Sequence, residues 1–348
     1  MALFNPPLLR KPGFKLVGVS FCLAFVVVVL GAFTRLADAG LGCPDWPGCY
    51  GHLLWPIQEH NVVRANEAWP DMPVDHTKTW PEMVHRYFAG TLGIFIVLIV
   101  ATAWKRREDN GYPFRLPLFL LFAVVWQALF GMWTVTLKLW PQIVTLHLLG
   151  GMTVLSLLWL LLVRLDNQAW RLPAATYARA ARLKPWVLLG IVLVVCQILL
   201  GGWTSSNYAA YACHDFPTCH GEWWPPMDAK MGFNVFQTIG PNYLGGLLES
   251  DARVAIHFTH RLGAIVVTLY LLMLVGRVAM LGSARLRKVG LAVLAALVLQ
   301  LGLGVTNVLL HIPLSVAVMH NAGGALLLLT LITLACRLWM AKGEENPA

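Results

Sequence analysis

Apolar residues in this chain fall in long blocks, not in the alternating or one-sided patterns of soluble strands and helices. Eight blocks are long enough to cross about 30 Å of hydrocarbon at about 20 residues each: 14–36, 80–104, 115–138, 141–164, 184–206, 251–277, 286–310 and 313–339. Lipid offers nothing to satisfy backbone N–H and C=O groups, so a span is a helix or part of a closed barrel, and these blocks far exceed a barrel strand. The pattern predicts an all-α integral membrane protein with eight transmembrane helices. Two polar connections, near 37–79 and 207–250, have lengths that suit lids over sites.

Composition agrees: of 348 residues, 58% are hydrophobic and 12% charged, against about 45–50% and about 25% in soluble domains. The net charge of +9 raises nucleic acid or anionic lipid as a partner, and the placement of the charge decides between them. Arg10, Lys11, Lys15, Lys105, Arg106, Arg107, Arg115, Arg164, Arg171, Arg179, Arg182, Lys184, Arg277, Arg285, Arg287, Lys288, Arg337 and Lys342 share one side, 18 of 26 basic residues. The positive-inside rule then puts both termini in the cytoplasm and the long connections outside, which leaves no role for nucleic acid. The start, with Ala37-Asp38-Ala39 after an apolar stretch, imitates a cleavable signal. It is too long for one, and its end is echoed later in the chain.

That echo is general. Cys43, Asp45, Pro47, Cys49 and Gly51 recur 170 residues on as Cys213, Asp215, Pro217, Cys219 and Gly221, and Thr34 as Thr204. His85-Arg86 recurs at 175 as His260-Arg261; Gln127, Gly131 and His147 recur at 173 as Gln300, Gly304 and His320. Near-constant offsets in one order indicate a tandem duplication. Four helices precede each return, so the halves are parallel and related by an axis along the membrane normal. The expected layout is a four-helix bundle in 1–165, a cytoplasmic linker in 166–183 and a second bundle in 184–348.

Five of eleven histidines fall within spans: His85, His147, His257, His260 and His320. Ionisable groups in a spanning helix face the bundle interior or a functional pathway. At 1.5 Å per residue, His85 and His147 lie at similar depth below the outer ends of their helices, and His260 with His320 repeats that arrangement. Two facing imidazoles suit haem iron better than zinc, which wants four ligands. Glycines follow each ligand (Gly90 and Gly93, Gly150 and Gly151, Gly263, Gly323 and Gly324), where a porphyrin needs room or where helices approach closely. Arg86 and Arg261 are placed to pair with haem propionates or to snorkel to headgroups.

The halves differ at one ionisable position, where Glu82 aligns with His257, three residues before a ligand and on its face. A carboxylate beside a haem can move protons or stabilise positive charge, which makes Glu82 the candidate catalytic group unless it merely opens its helix. The outer cysteines, Cys43 with Cys49 and Cys213 with Cys219, suit an oxidising compartment and would each close a short Pro-containing loop. Structural disulfide, redox-active disulfide and metal site all remain open. His214 and His220 favour a metal, but Pro44 and Tyr50 in the first loop do not. Cys22, Cys196 and Cys336 read as small apolar fillers within helices, and Trp46, Trp55, Trp223 and Trp224 as covers or interface anchors.

These segments resemble the haem A synthase family along nearly the whole chain: "GAFTRLADAGLGCPDWPGCYG", "EMVHR", "TLHLLGG", "HFTHRLGA" and "VMHNAGGA". The resemblance implies an eight-helix membrane oxidoreductase in two similar halves that converts haem O to haem A, oxidising a porphyrin methyl group to formyl by successive hydroxylations. It implies that His85 and His147 hold the substrate haem and that His260 and His320 hold a prosthetic haem b that relays electrons. It matches Glu82 to the catalytic carboxylate and both cysteine pairs to the family's. Its implied partners are an electron donor, a haem O synthase and oxidase assembly factors, and it allows a homo-oligomer. A bis-haem cytochrome b for quinone-linked electron transfer would use the same histidines but has no use for Glu82 in one half only.

Overall fold

The computed structural model describes residues 10–344; the termini, expected in the cytoplasm, lie outside the described residues. Eight helices are long and apolar enough to cross a membrane: α1 Phe14–Leu36, α3 His76–Lys105, α4 Arg115–Thr136, α5 Pro141–Asp166, α6 Ala174–Ser206, α8 Ser250–Ala279, α9 Ala284–Leu309 and α10 Leu314–Met340. Short helices α2 (Glu59–Ala68) and α7 (Ala229–Gly232) lie in the two long connections. The expected spans agree with the helices to within a few residues except at two starts. Helix α3 begins four residues early because Asp75 caps it, its carboxylate accepting from the Thr77 N–H. Helix α6 begins at Ala174 because "AATYARAARLK" is rich in Ala, Arg and Leu, strong helix formers that an apolar pattern overlooks. Much of the expected linker is therefore helical.

Within the first half α1 lies on α3 and α5, and α4 on α5. Within the second, α6 lies on α8 and α10, and α9 on α10. The halves meet through α1, α5, α6 and α10. Their shared core is a leucine seam: Leu155, Leu158, Leu161 and Leu165 with Leu327, Leu331, Leu334 and Leu338.

Equivalent residues touch across that seam. The Tyr208 hydroxyl donates to Asp38 at 2.8 Å, and Arg35 donates to the Ser205 carbonyl at 2.5 Å, both pairs 170 apart. At the opposite end, strand β1 (Arg171–Leu172) pairs in parallel with β2 (Lys342–Gly343), 171 apart. Self-meeting positions mark a two-fold interface. Local backbone repeats as well: the Trp46-Pro47 and Phe216-Pro217 peptides are both cis, and left-handed Tyr50-Gly51 matches His220-Gly221.

Candidate functional site

In the first half α3 supplies His85 and α5 supplies His147. Their rings stand 6.5 Å apart between centroids and at 87°. A metal bonded to two opposed imidazoles at about 2 Å each, with about 1 Å from nitrogen to ring centre, separates the centroids by about 6 Å, so the observed spacing fits iron held between them. Each ring backs onto a glycine of a neighbouring helix. A Cβ at Gly31 on α1 would lie 2.9 Å from His85 Cε1, and one at Gly131 on α4 3.4 Å from His147 Cε1.

The second half repeats this, with Gly201 at 3.3 Å from His260 and Gly304 at 3.1 Å from His320. Gly31 and Gly201 escaped the sequence reading, although they sit three residues before Thr34 and Thr204 at the same offset. The glycines after the histidines divide into two kinds. Gly90 and Gly93 face open space, whereas Gly150, Gly263 and Gly323 receive the amides of Gln127, Gln197 and Gln300. Their first use is thus to admit glutamines.

The donor set suits a macrocycle. Nδ1 of His85, His147 and His320 is buried with no partner, and among the described residues no group of three or more His, Cys, Asp or Glu is arranged to hold a bare metal ion. Two opposed nitrogens satisfy iron already held by a porphyrin and leave zinc two ligands short.

Glu82 is 4% exposed and tied in place. One oxygen accepts from the Cys43 N–H at 3.0 Å, and the other pairs with the Arg86 guanidinium. Since α3 starts at His76, Glu82 sits in its second turn and does not open the helix. His257, at the matching place, is also buried, and its Nδ1 is unpartnered.

The arginines belong to the cysteine loops. Arg86 donates to the carbonyls of Asp45 (3.0 Å), Pro47 (3.2 Å) and Gly48, and Arg261 to those of Thr218 (2.8 Å) and Cys213 (3.3 Å). Both were expected either to pair with propionates or to snorkel to headgroups; the structure places both on backbone carbonyls, as clamps that fix each loop to the helix carrying a histidine.

Both loops are closed by disulfides, Cys43–Cys49 and Cys213–Cys219, with S–S 2.05 and 2.06 Å. Inside each, an aspartate organises the turn. Asp45 accepts from Tyr50 N (2.6 Å) and Gly51 N (2.8 Å), Asp215 from His220 N (2.7 Å) and Gly221 N (2.9 Å). Asp215 also accepts from the Thr218 hydroxyl, and these bonds hold its carboxyl well below the usual carboxylate range. Burial, then the charges of Glu82, Asp45 and Asp75, pushes the Tyr50 phenol up.

The second long connection covers more than its own half. Val235 and Gln237 accept from Gln142 (2.8 Å) and Trp140 (3.1 Å), which stand at the start of the helix carrying His147. Of the tryptophans, Trp223 and Trp224 are exposed and Trp55 packs against the first cysteine loop. Cys22 and Cys196 face outward from the bundle, and Cys336 is buried.

Eight helices long and apolar enough to cross a membrane, in two matched sets with buried imidazoles 6.5 Å apart inside the first and their counterparts in the second, define an integral membrane protein with an internal repeat. A family model described as "Cytochrome oxidase assembly protein" matches residues 15–332, and the chain belongs to that family. It is 43% identical over 331 residues to a protein of Shewanella oneidensis named "Heme A synthase", covering 95% of this chain and 98% of the relative. Proteins of the same name from Rhizorhabdus wittichii and Caulobacter vibrioides are each 27% identical, covering 93% and 90% of this chain and 92% of each relative.

Proposed function

We propose that the protein is a haem A synthase that oxidises the methyl group of haem O to the formyl group of haem A in its first half. The carrying observation is the 6.5 Å spacing of His85 and His147 within a chain 43% identical to a protein of that name. The conversion takes four electrons from the methyl carbon in two hydroxylations, each balanced by one dioxygen as oxidant with two electrons and two protons from outside and one water released, and the carbon carrying two hydroxyls loses water to leave the aldehyde. His260 and His320 would hold a haem b, which would supply one-electron transfer.

The chain's own residues do the rest. His85 and His147 fix the substrate iron and so the reacting edge, which converts a bimolecular encounter into an oriented one. Glu82, immobilised by Arg86 and the Cys43 N–H, presents a carboxylate three residues from a ligand to take up protons and oppose positive charge on the substrate. The first cysteine loop holds that carboxylate from above, and both loops lie on the extracytoplasmic side with the termini in the cytoplasm. An external donor provides electrons, and a haem O synthase provides substrate.

Pigment extraction tests this against a bis-haem cytochrome b. Haem O or haem A accompanying haem b in the purified protein is expected. Haem b alone at both sites would overturn the reading.

A further inference from the structure

Three of the four histidines are followed at the third position by glycine: His147 by Gly150, His260 by Gly263 and His320 by Gly323. His85 is followed by Phe88. Each of the three notches is filled by a glutamine of a neighbouring helix. A Cβ at Gly150 would lie 1.7 Å from Gln127 Nε2, one at Gly263 2.2 Å from Gln197 Oε1, and one at Gly323 2.3 Å from Gln300 Oε1. No alanine fits there without moving the amide.

The glutamines stand beside the rings. Gln197 Nε2 lies 3.1 Å from His260 Nδ1 and 2.9 Å from the His260 carbonyl, and Gln300 Nε2 lies 3.3 Å from His320 Nε2. Oε1 of Gln197 and Oε1 of Gln300 are buried without partners in the glycine notches, so an amide turned end for end would bring an acceptor to an imidazole N–H without leaving its place.

The fourth position lacks both parts of this device. The offset that pairs Gly31 with Gly201 pairs Val27 with Gln197, and Phe88 opens no notch. Val27 has no side-chain amide to offer the His85 ring, and Nδ1 of His85, like that of His147 and His320, has no hydrogen-bond partner.

An amide wedged against a ligand imidazole fixes its orientation and strengthens it as a donor; losing such a group costs about 10- to 100-fold in metal affinity. We propose that Val27 and Phe88 make His85 the releasable ligand, so the first site exchanges its haem while Gln197 and Gln300 lock the second. This rests on the assignment of substrate to the first half. It gives one duplicated scaffold both a turnover site and a permanent one.

The test mixes the purified, haem-loaded protein in lipid nanodiscs with excess apomyoglobin as acceptor. Chromatography then identifies each departing pigment. Gln197→Val is expected to release haem b about 10- to 100-fold faster than the parent. The transplant Val27→Gln with Phe88→Gly is expected to slow departure of haem O or haem A about tenfold, a gain of retention that damaged folding does not produce. Unchanged departure from the transplant overturns the proposal. If Gln197→Val instead accelerates loss of haem O, the assignment of substrate to the first half falls, and that failure is separately visible.

Discussion

The two cysteine loops share a disulfide, an aspartate-centred turn and a clamping arginine, yet only the first is bonded to a carboxylate on its helix. Glu82 joins the Cys43 N–H to Arg86, whereas His257 gives the second loop no anion and leaves Arg261 to the carbonyls alone. The common parts are therefore scaffold, and under the proposed function the difference marks where the chemistry lies.

The sharpest way to break that comparison is to remove one ligand from each half. His85→Ala is expected to abolish haem A formation and to empty the first site, with haem b retained. His260→Ala is expected to remove haem b. Extraction of pigment from each purified variant checks both, and loss of the same pigment from both variants would erase the division of labour.

Next in size is Glu82→Gln. The amide keeps an oxygen for the Cys43 N–H and loses the charge facing Arg86, so both pigments are expected to stay. Conversion should fall about 10²- to 10⁴-fold, the usual worth of a positioned acid or base, with product stopping at haem O or an alcohol. Quantifying haem A in cells that depend on the variant decides it; undiminished haem A removes Glu82 from the chemistry.

Replacing both cysteines of one loop by serine should cost about 2 kcal/mol in either half, since each bridge closes a loop of sequence separation 6. Only the first replacement also loosens the Cys43 N–H against Glu82, so only it should lower turnover beyond what stability explains. Thermal unfolding and haem A yield together separate the two. Equal yields at equal stability would make both loops plain staples.

Much of this was legible in the sequence because lipid makes apolar length decisive, and because the duplication showed each motif twice. The eight spans, the closeness of His85 to His147 and both cysteine pairs came from those two signals. Hydropathy erred where a helix leaves lipid: the polar first turn of α3 is fixed by the Asp75 cap, and the start of α6 by alanine propensity. The fates of Arg86 and Arg261 were hidden because their acceptors are backbone carbonyls 38 to 48 residues away, and carbonyls leave no mark in composition. Gly31 and Gly201, behind two of the rings, were hidden for a related reason: only packing distinguishes a glycine beside a histidine from one beside lipid.

The smallest expected effect is a pH dependence confined to the second loop. Asp215 accepts from two backbone amides and from the Thr218 hydroxyl, where the first loop has Gly48 and so no hydroxyl. Its folded carboxyl is held below the unfolded reference of about 3.9. A depressed carboxyl contributes stability above the unfolded value, and that contribution is lost as pH falls through the window beneath it. Between about pH 6 and about pH 3 the His220 and Gly221 amides should therefore lose protection in the parent. In Asp215→Asn they should start less protected and show no such step. Hydrogen exchange read by mass spectrometry, with each variant compared to the parent at matched pH, measures it. A step that survives in Asp215→Asn would assign the acid sensitivity to another group.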